Sequence, residues 1–219
     1  MIVTIVCMWL FVAAQIYFEY RHHQGKVGPY MGITKTIGSL LFVVVGILGT
    51  VHAQPGGMFL LTGIVLCVAG DVFLISQQRH FFLLGLVSFL LAHVAYCVAF
   101  IRMSPDITAI AIAAPVLLVV AFFILRWLMP HLDSKMKKPV LAYVITICTM
   151  VALSAGVMLQ GGAQFAVAAV VFMISDLFVA RDRFVKTEFT NRLIGLPLYY
   201  GAQLIFAASL ALTPVALQL

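Results

Sequence analysis

The sequence is short of charged residues, which make up only 9% of its 219 positions. Soluble domains carry roughly a quarter of their residues as Asp, Glu, Lys or Arg, because water must wet their whole surface. With 64% hydrophobic residues and a mean hydropathy of +1.15, this chain has too little polar surface for that. A soluble globular fold is therefore excluded, and we predict an all-α integral membrane protein.

Cysteines are also few, and the motifs of common soluble enzymes are missing. The four cysteines fall inside apolar runs without CxxC spacing, which predicts neither a disulfide framework nor a zinc-binding site. There is no GxSxG elbow, P-loop, GxGxxG or HExxH motif. No serine has an adjacent histidine that would form a convincing nucleophilic dyad. We therefore expect no cofactor and no serine nucleophile.

What the sequence has in abundance is long apolar runs. A helix needs about 20 apolar residues to cross the hydrocarbon core of a bilayer. Glycine and proline separate eight runs of roughly this length. We predict one membrane domain over residues 1–219 with eight transmembrane helices, at residues 2–18, 33–51, 58–76, 81–101, 107–128, 140–159, 164–180 and 193–213.

The basic residues orient these helices. All of the 13 Lys and Arg residues except Arg102 lie in or beside the connections that follow helices 1, 3, 5 and 7. Cytoplasmic connections are enriched in Lys and Arg, so these four connections are expected in the cytoplasm and both termini on the periplasmic or exoplasmic side. Because the positive charge is scattered over helix ends, the net charge of +6 does not indicate nucleic-acid binding.

Two acidic residues lie inside the apolar runs, Asp71 in helix 3 and Asp176 in helix 7. An ionised carboxylate at such depth is costly, so intramembrane acids are candidates for function. The alternative is a structural role, in which these aspartates pair with Lys35 and Arg181. If the two carboxyl groups lie close together, they are expected to share one proton and supply an acid and a base at one site.

The surroundings of the two aspartates also suggest an internal duplication. Phe73 follows Asp71 at the same spacing as Phe178 follows Asp176. The halves would be residues 1–103 and 104–219, in parallel orientation because each contains four helices. The alternative is that a small residue, Asp, an apolar residue and Phe recur by accident in Phe-rich helices.

Other polar residues are expected near the aspartates. Lys35 enters the membrane from the same side, and helix 8 carries Tyr199, Tyr200 and Gln203 at comparable depth. His93 and Tyr96 lie deeper in helix 4. We predict a polar cavity that opens toward the cytoplasmic leaflet. Each of these residues has an alternative role in contacts between helices, and Asp71, Asp176 and His93 together are an alternative metal site.

The motifs of the chain resemble those of the YhhN-like membrane proteins, which include the lysoplasmalogenases. The resemblance covers nearly the whole chain, and one departure is Lys35-Thr36, where the family tends to have Lys-Pro. The residues that carry it are Gly70-Asp71-Val72-Phe73-Leu74, the run from Gly85 to Tyr96, Ser175-Asp176-Leu177-Phe178-Val179-Ala180 with Arg183-Phe184, and Pro197-Leu198-Tyr199-Tyr200-Gly201-Ala202-Gln203.

The resemblance implies hydrolysis of the vinyl ether bond of lysoplasmalogens. The products would be a fatty aldehyde and glycerophosphoethanolamine or glycerophosphocholine. One aspartate of the pair Asp71 and Asp176 would donate a proton, while the other would stabilise the resulting oxocarbenium ion and activate water. The implied substrate-binding residues are Lys35, His93, Tyr96, Arg181, Asn191, Arg192, Tyr200 and Gln203.

We accordingly expect a multi-pass protein of a bacterial inner (plasma) membrane, with lysophospholipid substrate and membrane lipids as its partners. Two other functions fit the same residues. A transporter of small lipids or ions would use the intramembrane acids without releasing aldehyde, and another membrane lipid hydrolase, if it required a metal, would lose activity with a chelator.

Overall fold

The structure, a computed structural model, describes residues 2–24, 30–49, 55–76 and 78–211. Within these ranges the chain forms eight α-helices and no β-strand. A 3₁₀ turn, Met129–His131, follows α5, and a π-helical turn, Arg181–Val185, follows α7. The helices are α1 Ile2–His23, α2 Tyr30–Leu48, α3 Gly57–Phe73, α4 Arg79–Arg102, α5 Ile107–Leu128, α6 Ser134–Met158, α7 Ala163–Ala180 and α8 Phe189–Ser209.

The all-helical class and the order of the eight helices agree with the sequence-based prediction. The largest shift is at α6, which begins at Ser134 and not at residue 140. The side chain of Asp133 accepts hydrogen bonds from the backbone N–H groups of Lys135 and Met136, so a capping residue starts the helix well before Pro139. Residues 50–51 and 212–213, which end two predicted helices, and Lys26 lie outside the described residues.

Several helices have the length and composition of membrane spans. Two shorter apolar helices, Gly32–Leu48 and Gly57–Phe73, accompany them. The chain is therefore an all-helical, multi-pass membrane protein. The helices long and apolar enough to cross a bilayer are Ile2–His23, Arg79–Arg102, Ile107–His131, Ser134–Met158 and Ala163–Val185.

Two helical hairpins, α3 with α4 and α7 with α8, are the most closely packed helix pairs of the bundle. Helix α2 packs against α1, α3 and α8, whereas α6 packs against α4, α5 and α7. Helix α5 joins the bundle mainly through α6, and much of its surface is exposed. The two carboxylate-bearing helices, α3 and α7, are thus surrounded by other helices on several sides.

Polar contacts between connections define one end of the bundle. Arg79 at the start of α4 forms an ion pair with Asp133 in the α5–α6 connection, with 3.0 Å between Nη2 and Oδ1. Arg192 at the start of α8 lies 3.6 Å from the carboxylate of Glu19 near the end of α1. These contacts bring together the ends of helices whose connections carry most of the basic residues. This end is called the basic end below.

Candidate functional site

Asp71 lies in the last turn of α3, where three residues from two other helices surround its carboxylate. The Ser39 hydroxyl of α2 and the Tyr199 phenol of α8 each donate a hydrogen bond of 2.6 Å to Oδ2. Lys35 Nζ lies 3.3 Å from Oδ1. The Asp71 side chain is only 3% exposed, so its carboxylate has lost its hydration. These three partners take the place of the lost water.

Helix geometry explains why α2 supplies two of these partners. Lys35 and Ser39 are four residues apart and therefore share one face of the helix. The Tyr200 phenol of α8 lies behind them, 3.2 Å from the Ser39 hydroxyl and 3.1 Å from the backbone oxygen of Lys35. It also lies 3.2 Å from the Gln15 side-chain oxygen of α1. Tyr200 therefore holds the α2 segment that carries the Asp71 partners.

Asp176 in α7 has fewer partners and more exposure. The Tyr143 phenol of α6 donates a hydrogen bond of 2.7 Å to Oδ2. His93 Nε2 of α4 lies 3.9 Å from the same oxygen, which is beyond hydrogen-bonding distance. The Asp176 side chain is 17% exposed, compared with 3% for Asp71. Of the two carboxyl groups, Asp176 is therefore the more accessible.

His93 is fully buried beside Asp176. Neither of its ring nitrogens has a hydrogen-bond partner among the described residues. Its ring packs at 5.1 Å from that of Tyr143 and at 4.8 Å from that of Phe172, measured between centroids. The Phe172 ring in turn lies 5.5 Å from that of Tyr199, so an aromatic layer connects the surroundings of the two aspartates.

Asp71 and Asp176 line one cavity of about 230 Å³. Its walls are polar toward the basic end and apolar along α4, α5, α6 and α7. The polar lining includes Lys35, Asp182, Arg183, Asn191, Arg192 and Tyr199. The apolar lining includes Phe82, Leu86, Phe89, Ile124, Leu128, Val140, Val144, Ile147, Met173 and Leu177.

The π-helical turn after α7 organises the polar end of the cavity. Asp182 is buried there and forms an ion pair with Arg192. The Asp182 Oδ2 atom lies 2.8 Å from Arg192 Nη2 and accepts a hydrogen bond of 3.0 Å from Arg192 Nε. The Asn191 side chain donates to Asp182 Oδ1 at 3.2 Å and accepts from Arg181 Nη1 at 2.6 Å. The Arg183 guanidinium stacks on the Phe82 ring, 4.3 Å from its centroid.

Glu188 closes this network on the outer side. Hydrogen bonds from Lys186 and Arg181 hold the pKa of the Glu188 carboxyl below its usual range. The shift stabilises the network above the ordinary pKa of Glu188, and the stabilisation is lost as the pH falls through the lowered pKa.

Not all of the predicted site residues reach the cavity. Asp71, Asp176, Lys35, Asn191 and Arg192 line it. The other five lie beside or behind it. Arg181 contacts Asn191 and Glu188. His93 and Tyr200 lie behind the two aspartates. The Tyr96 phenol donates a 2.9 Å hydrogen bond to Gln203 within the buried core.

Sequence reasoning did not assign a site role to several residues that contact the carboxylates or line the cavity. Ser39 could have been found from its position one helical turn after Lys35. Tyr143 gave no signal beyond being a phenol in an apolar run, and Asp182 and Arg183 gave none beyond lying in a short charged segment after helix 7. The residues concerned are Ser39, Tyr143, Asp182 and Arg183.

A metal site formed by Asp71, Asp176 and His93 was one alternative that the sequence offered. No three His, Cys, Asp or Glu side chains within them converge in a way that could hold a metal ion. His93 is close to Asp176, whereas Asp71 has Lys35 as its charged neighbour.

Comparison with known proteins gives one family and several named relatives. The profile of the YhhN family matches residues 30–210. Lysoplasmalogenase TMEM86B of Rattus norvegicus is 34% identical over 163 residues, which are 73% of this chain and 66% of the rat protein. Lysoplasmalogenase TMEM86A of Bos taurus is 29% identical over 77% of this chain and 72% of its own length. Lysoplasmalogenase TMEM86B of Homo sapiens is 28% identical over 96% of this chain and 89% of its own length. No solved structure matches the chain significantly.

Proposed function

The chain belongs to the YhhN family, and from this membership and its paired carboxylates we propose that the protein is a lysoplasmalogenase. It would hydrolyse the vinyl ether bond of lysoplasmenylethanolamine or lysoplasmenylcholine. The observation that carries the proposal is that Asp71 and Asp176, from separate helices, line one cavity with a charged end and apolar walls. Such a cavity suits a lipid that has one hydrocarbon chain and a charged headgroup.

The reaction needs little more than two carboxyl groups and a water molecule. Protonation of the β-carbon of the vinyl ether converts the substrate into an oxocarbenium ion. Attack by water, with loss of a proton to a base, gives a hemiacetal. Its collapse releases the fatty aldehyde and the glycerophospho headgroup. Paired carboxyl groups perform the same division of work at other oxocarbenium centres.

Their contacts suggest different roles for the two aspartates. Asp71 forms an ion pair with Lys35, and neutralising it would leave Lys35 buried without its counter-charge. We assign Asp71 as the carboxylate that stabilises the cation. Asp176 accepts a hydrogen bond from the Tyr143 phenol. Among the described residues, no cation lies within hydrogen-bond distance of Asp176 as Lys35 does of Asp71, and Asp176 is the more exposed of the two aspartates. We assign Asp176 as the proton donor.

His93 and Tyr143 support Asp176 in this scheme. A fully buried imidazole without hydrogen-bond partners requires an explanation, and a water molecule or substrate hydroxyl between His93 and Asp176 would provide one. His93 would then orient the attacking water. Tyr200 and Gln203 would act as positioning residues, because Tyr200 holds Ser39 and Gln203 holds Tyr96.

The phosphate of the substrate would bind at the polar end of the cavity. Lys35, Arg183 and Arg192 line that end, and Asn191 adds an amide. Guanidinium groups are well suited to phosphate, since they present several donors in one plane. Arg181 would act indirectly, by fixing Asn191 through the 2.6 Å hydrogen bond.

The orientation in the membrane completes the proposal. All eight helices would span a plasma membrane, with both termini exoplasmic and the basic end, which carries the cavity mouth, in the cytoplasm. The distribution of basic residues and the Arg79–Asp133 and Arg192–Glu19 contacts support this orientation.

The proposed duplication of residues 1–103 and 104–219 has support from the contacts of the aspartates. Asp71 of α3 has contacts from α2 and α8, namely Ser39 and Tyr199. Asp176 of α7 has contacts from α6 and α4, namely Tyr143 and His93. An exchange of the two halves maps α2 onto α6 and α8 onto α4.

The test is release of fatty aldehyde by the purified protein in detergent. A lysoplasmalogen is compared with a lysophospholipid of the same headgroup and an ester-linked chain. We expect aldehyde from the lysoplasmalogen only, with no loss of turnover in chelator. A folded protein that releases no aldehyde, or that moves intact lysolipid across liposome membranes without cleaving it, would contradict the proposal.

A further inference from the structure

We propose that the cavity has a separate arm for the hydrocarbon chain of the substrate and that Ile147 limits the length of this chain. The apolar arm consists of the cavity-lining residues Phe89, Ile124, Val144, Ile147 and Met173. The inference rests on the proposed function and adds the direction in which the substrate lies.

The arm starts at Asp176 and extends away from the charged end. Tyr143 contacts Asp176, and Ile147 follows Tyr143 by one helical turn, about 6 Å further along α6. On the antiparallel α7, Met173 precedes Asp176 and therefore lies on the same side of it. Arg183 and Asn191 come after the end of α7, on the opposite side of Asp176.

A lipid with its vinyl ether at Asp176 and its phosphate near Arg183 must therefore extend its chain toward Ile147. The reverse orientation would bury the phosphate among aliphatic and aromatic side chains, which is unfavourable for an ion without partners. The charge distribution of the cavity thus selects one orientation of the substrate.

The helix arrangement indicates how the chain reaches this arm. Ile124 and Leu128 of α5 line the cavity, and so do Phe82 and Leu86 of α4. Helices α4 and α5 both pack on α6, but among the described residues they make few or no close contacts with each other, so they flank a gap beside the cavity. The outer face of α5 is exposed, so the lipid-facing side of this gap is not covered by another described helix at α5. The hydrocarbon chain therefore enters from the lipid between α4 and α5.

The experiment changes the side-chain volume at the end of the arm. Ile147→Trp fills the arm, and we expect kcat/KM to fall about tenfold more for a hexadecenyl than for an octenyl lysoplasmalogen. Ile147→Ala enlarges the arm and should shift this ratio in the opposite direction. Because each ratio compares two substrates on the same variant, a partly unfolded fraction cancels.

Ile145→Trp is the matched control, since Ile145 lies on the same helix and is 55% exposed, whereas Ile147 is 3% exposed. Its chain-length ratio should equal that of the wild type. Equal losses for both chain lengths in Ile147→Trp, or an equal shift in Ile145→Trp, would overturn the assignment of the arm.

Equilibrium binding separates this inference from the proposed reaction. Saturated 1-O-alkyl lysophospholipids lack the vinyl double bond, so they bind without protonation and cleavage. Ile147→Trp should weaken binding of the hexadecyl compound about tenfold more than that of the octyl compound. If Ile147→Trp weakens binding in this selective way while the wild type cleaves no lysoplasmalogen, the proposed reaction fails and the apolar arm stands. Equal weakening of the hexadecyl and octyl compounds by Ile147→Trp would overturn the arm itself.

Discussion

At the scale of single residues, the two buried aspartates are accommodated in different ways. Asp71 has two hydroxyl donors and an ammonium group, which together compensate for lost hydration. Asp176 has one phenol donor and partial access to the cavity. Removing each carboxylate should therefore have a similar effect on turnover and a different effect on stability.

Asp71→Asn and Asp176→Asn should each lower kcat by about a hundredfold or more, the range expected for loss of a positioned acid or base. Asp71→Asn should also lower the free energy of unfolding by about 3–5 kcal/mol, because Lys35 loses its partner in a buried site. Aldehyde release and thermal unfolding in detergent measure the two effects.

Two further variants serve as controls for this prediction. Asp133→Asn changes an exposed helix-capping carboxylate and should keep full activity, since Asn caps a helix as well as Asp does. The double variant Asp71→Asn with Lys35→Met should recover stability without recovering turnover. Wild-type turnover in either single variant would remove the assignment of that aspartate.

The arginines at the polar end offer a matched pair. Arg183 lines the cavity, whereas Arg181 contacts it only through Asn191. Arg183→Gln should raise KM for lysoplasmalogen about tenfold, the loss expected for one charge-assisted hydrogen bond. Arg181→Gln should raise it less. An alkenyl glycerol without phosphate should be cleaved equally well by the wild type and by Arg183→Gln.

Equal KM increases in the two variants, or an equal effect of Arg183→Gln on the phosphate-free substrate, would contradict a phosphate contact at Arg183. Steady-state kinetics in mixed micelles at fixed substrate mole fraction measures the difference.

At the scale of elements, glycine allows α3 and α4 to approach closely. A Cβ atom on Gly63 of α3 would overlap the Tyr96 ring of α4, closer than two carbon atoms can approach. Tyr96 is fully buried, and its ring centroid lies 4.6 Å from that of Phe206, so the ring has little room to move. The contact between these two helices thus depends on the absence of a side chain at Gly63.

Gly63→Ala should therefore lower the free energy of unfolding by about 1–3 kcal/mol through overpacking. Gly201→Ala is the control, because among the described residues a Cβ atom at Gly201 of α8 would meet only the Trp9 ring, at 3.9 Å. It should be neutral or slightly stabilising, since alanine is the better helix former by about 1 kcal/mol. Thermal unfolding in one detergent compares them, and equal stability would contradict the close approach of α3 and α4.

At the scale of the whole molecule, the polar part of the cavity lies at the basic end. Arg183 and Arg192 line the cavity near the same connections that carry the other basic residues. If the positive charges face the cytoplasm, substrate enters from the cytoplasmic leaflet, and soluble headgroup product leaves on that side.

Single cysteines test this orientation in a background without the four native cysteines. Arg79→Cys and Arg102→Cys place the thiol at the two ends of the same helix, α4. In intact cells, a membrane-impermeant maleimide should label Arg102→Cys only, and after lysis it should label both. Removal of Arg79 should cost little stability, because its ion pair with Asp133 is exposed. Labelling of Arg79→Cys in intact cells would contradict the proposed topology.

The sequence by itself determined the helical class, the number and order of the helices, the two candidate carboxylates and the family. These follow from properties that are local along the chain: apolar runs, breakers between them, and short motifs around Asp71 and Asp176. The start of α6 was missed because its cap, Asp133, lies within a polar segment that was read as a connection.

Only the tertiary structure decided which side chains meet the carboxylates. Ser39 and Tyr199 reach Asp71 from positions 32 and 128 residues away in the chain, so no local pattern reports the contact. Successive residues of a helix point in directions about 100° apart. Tyr199 therefore lines the cavity while its neighbour Tyr200 lies behind it, a choice set by how α8 is rotated against α2 and α3.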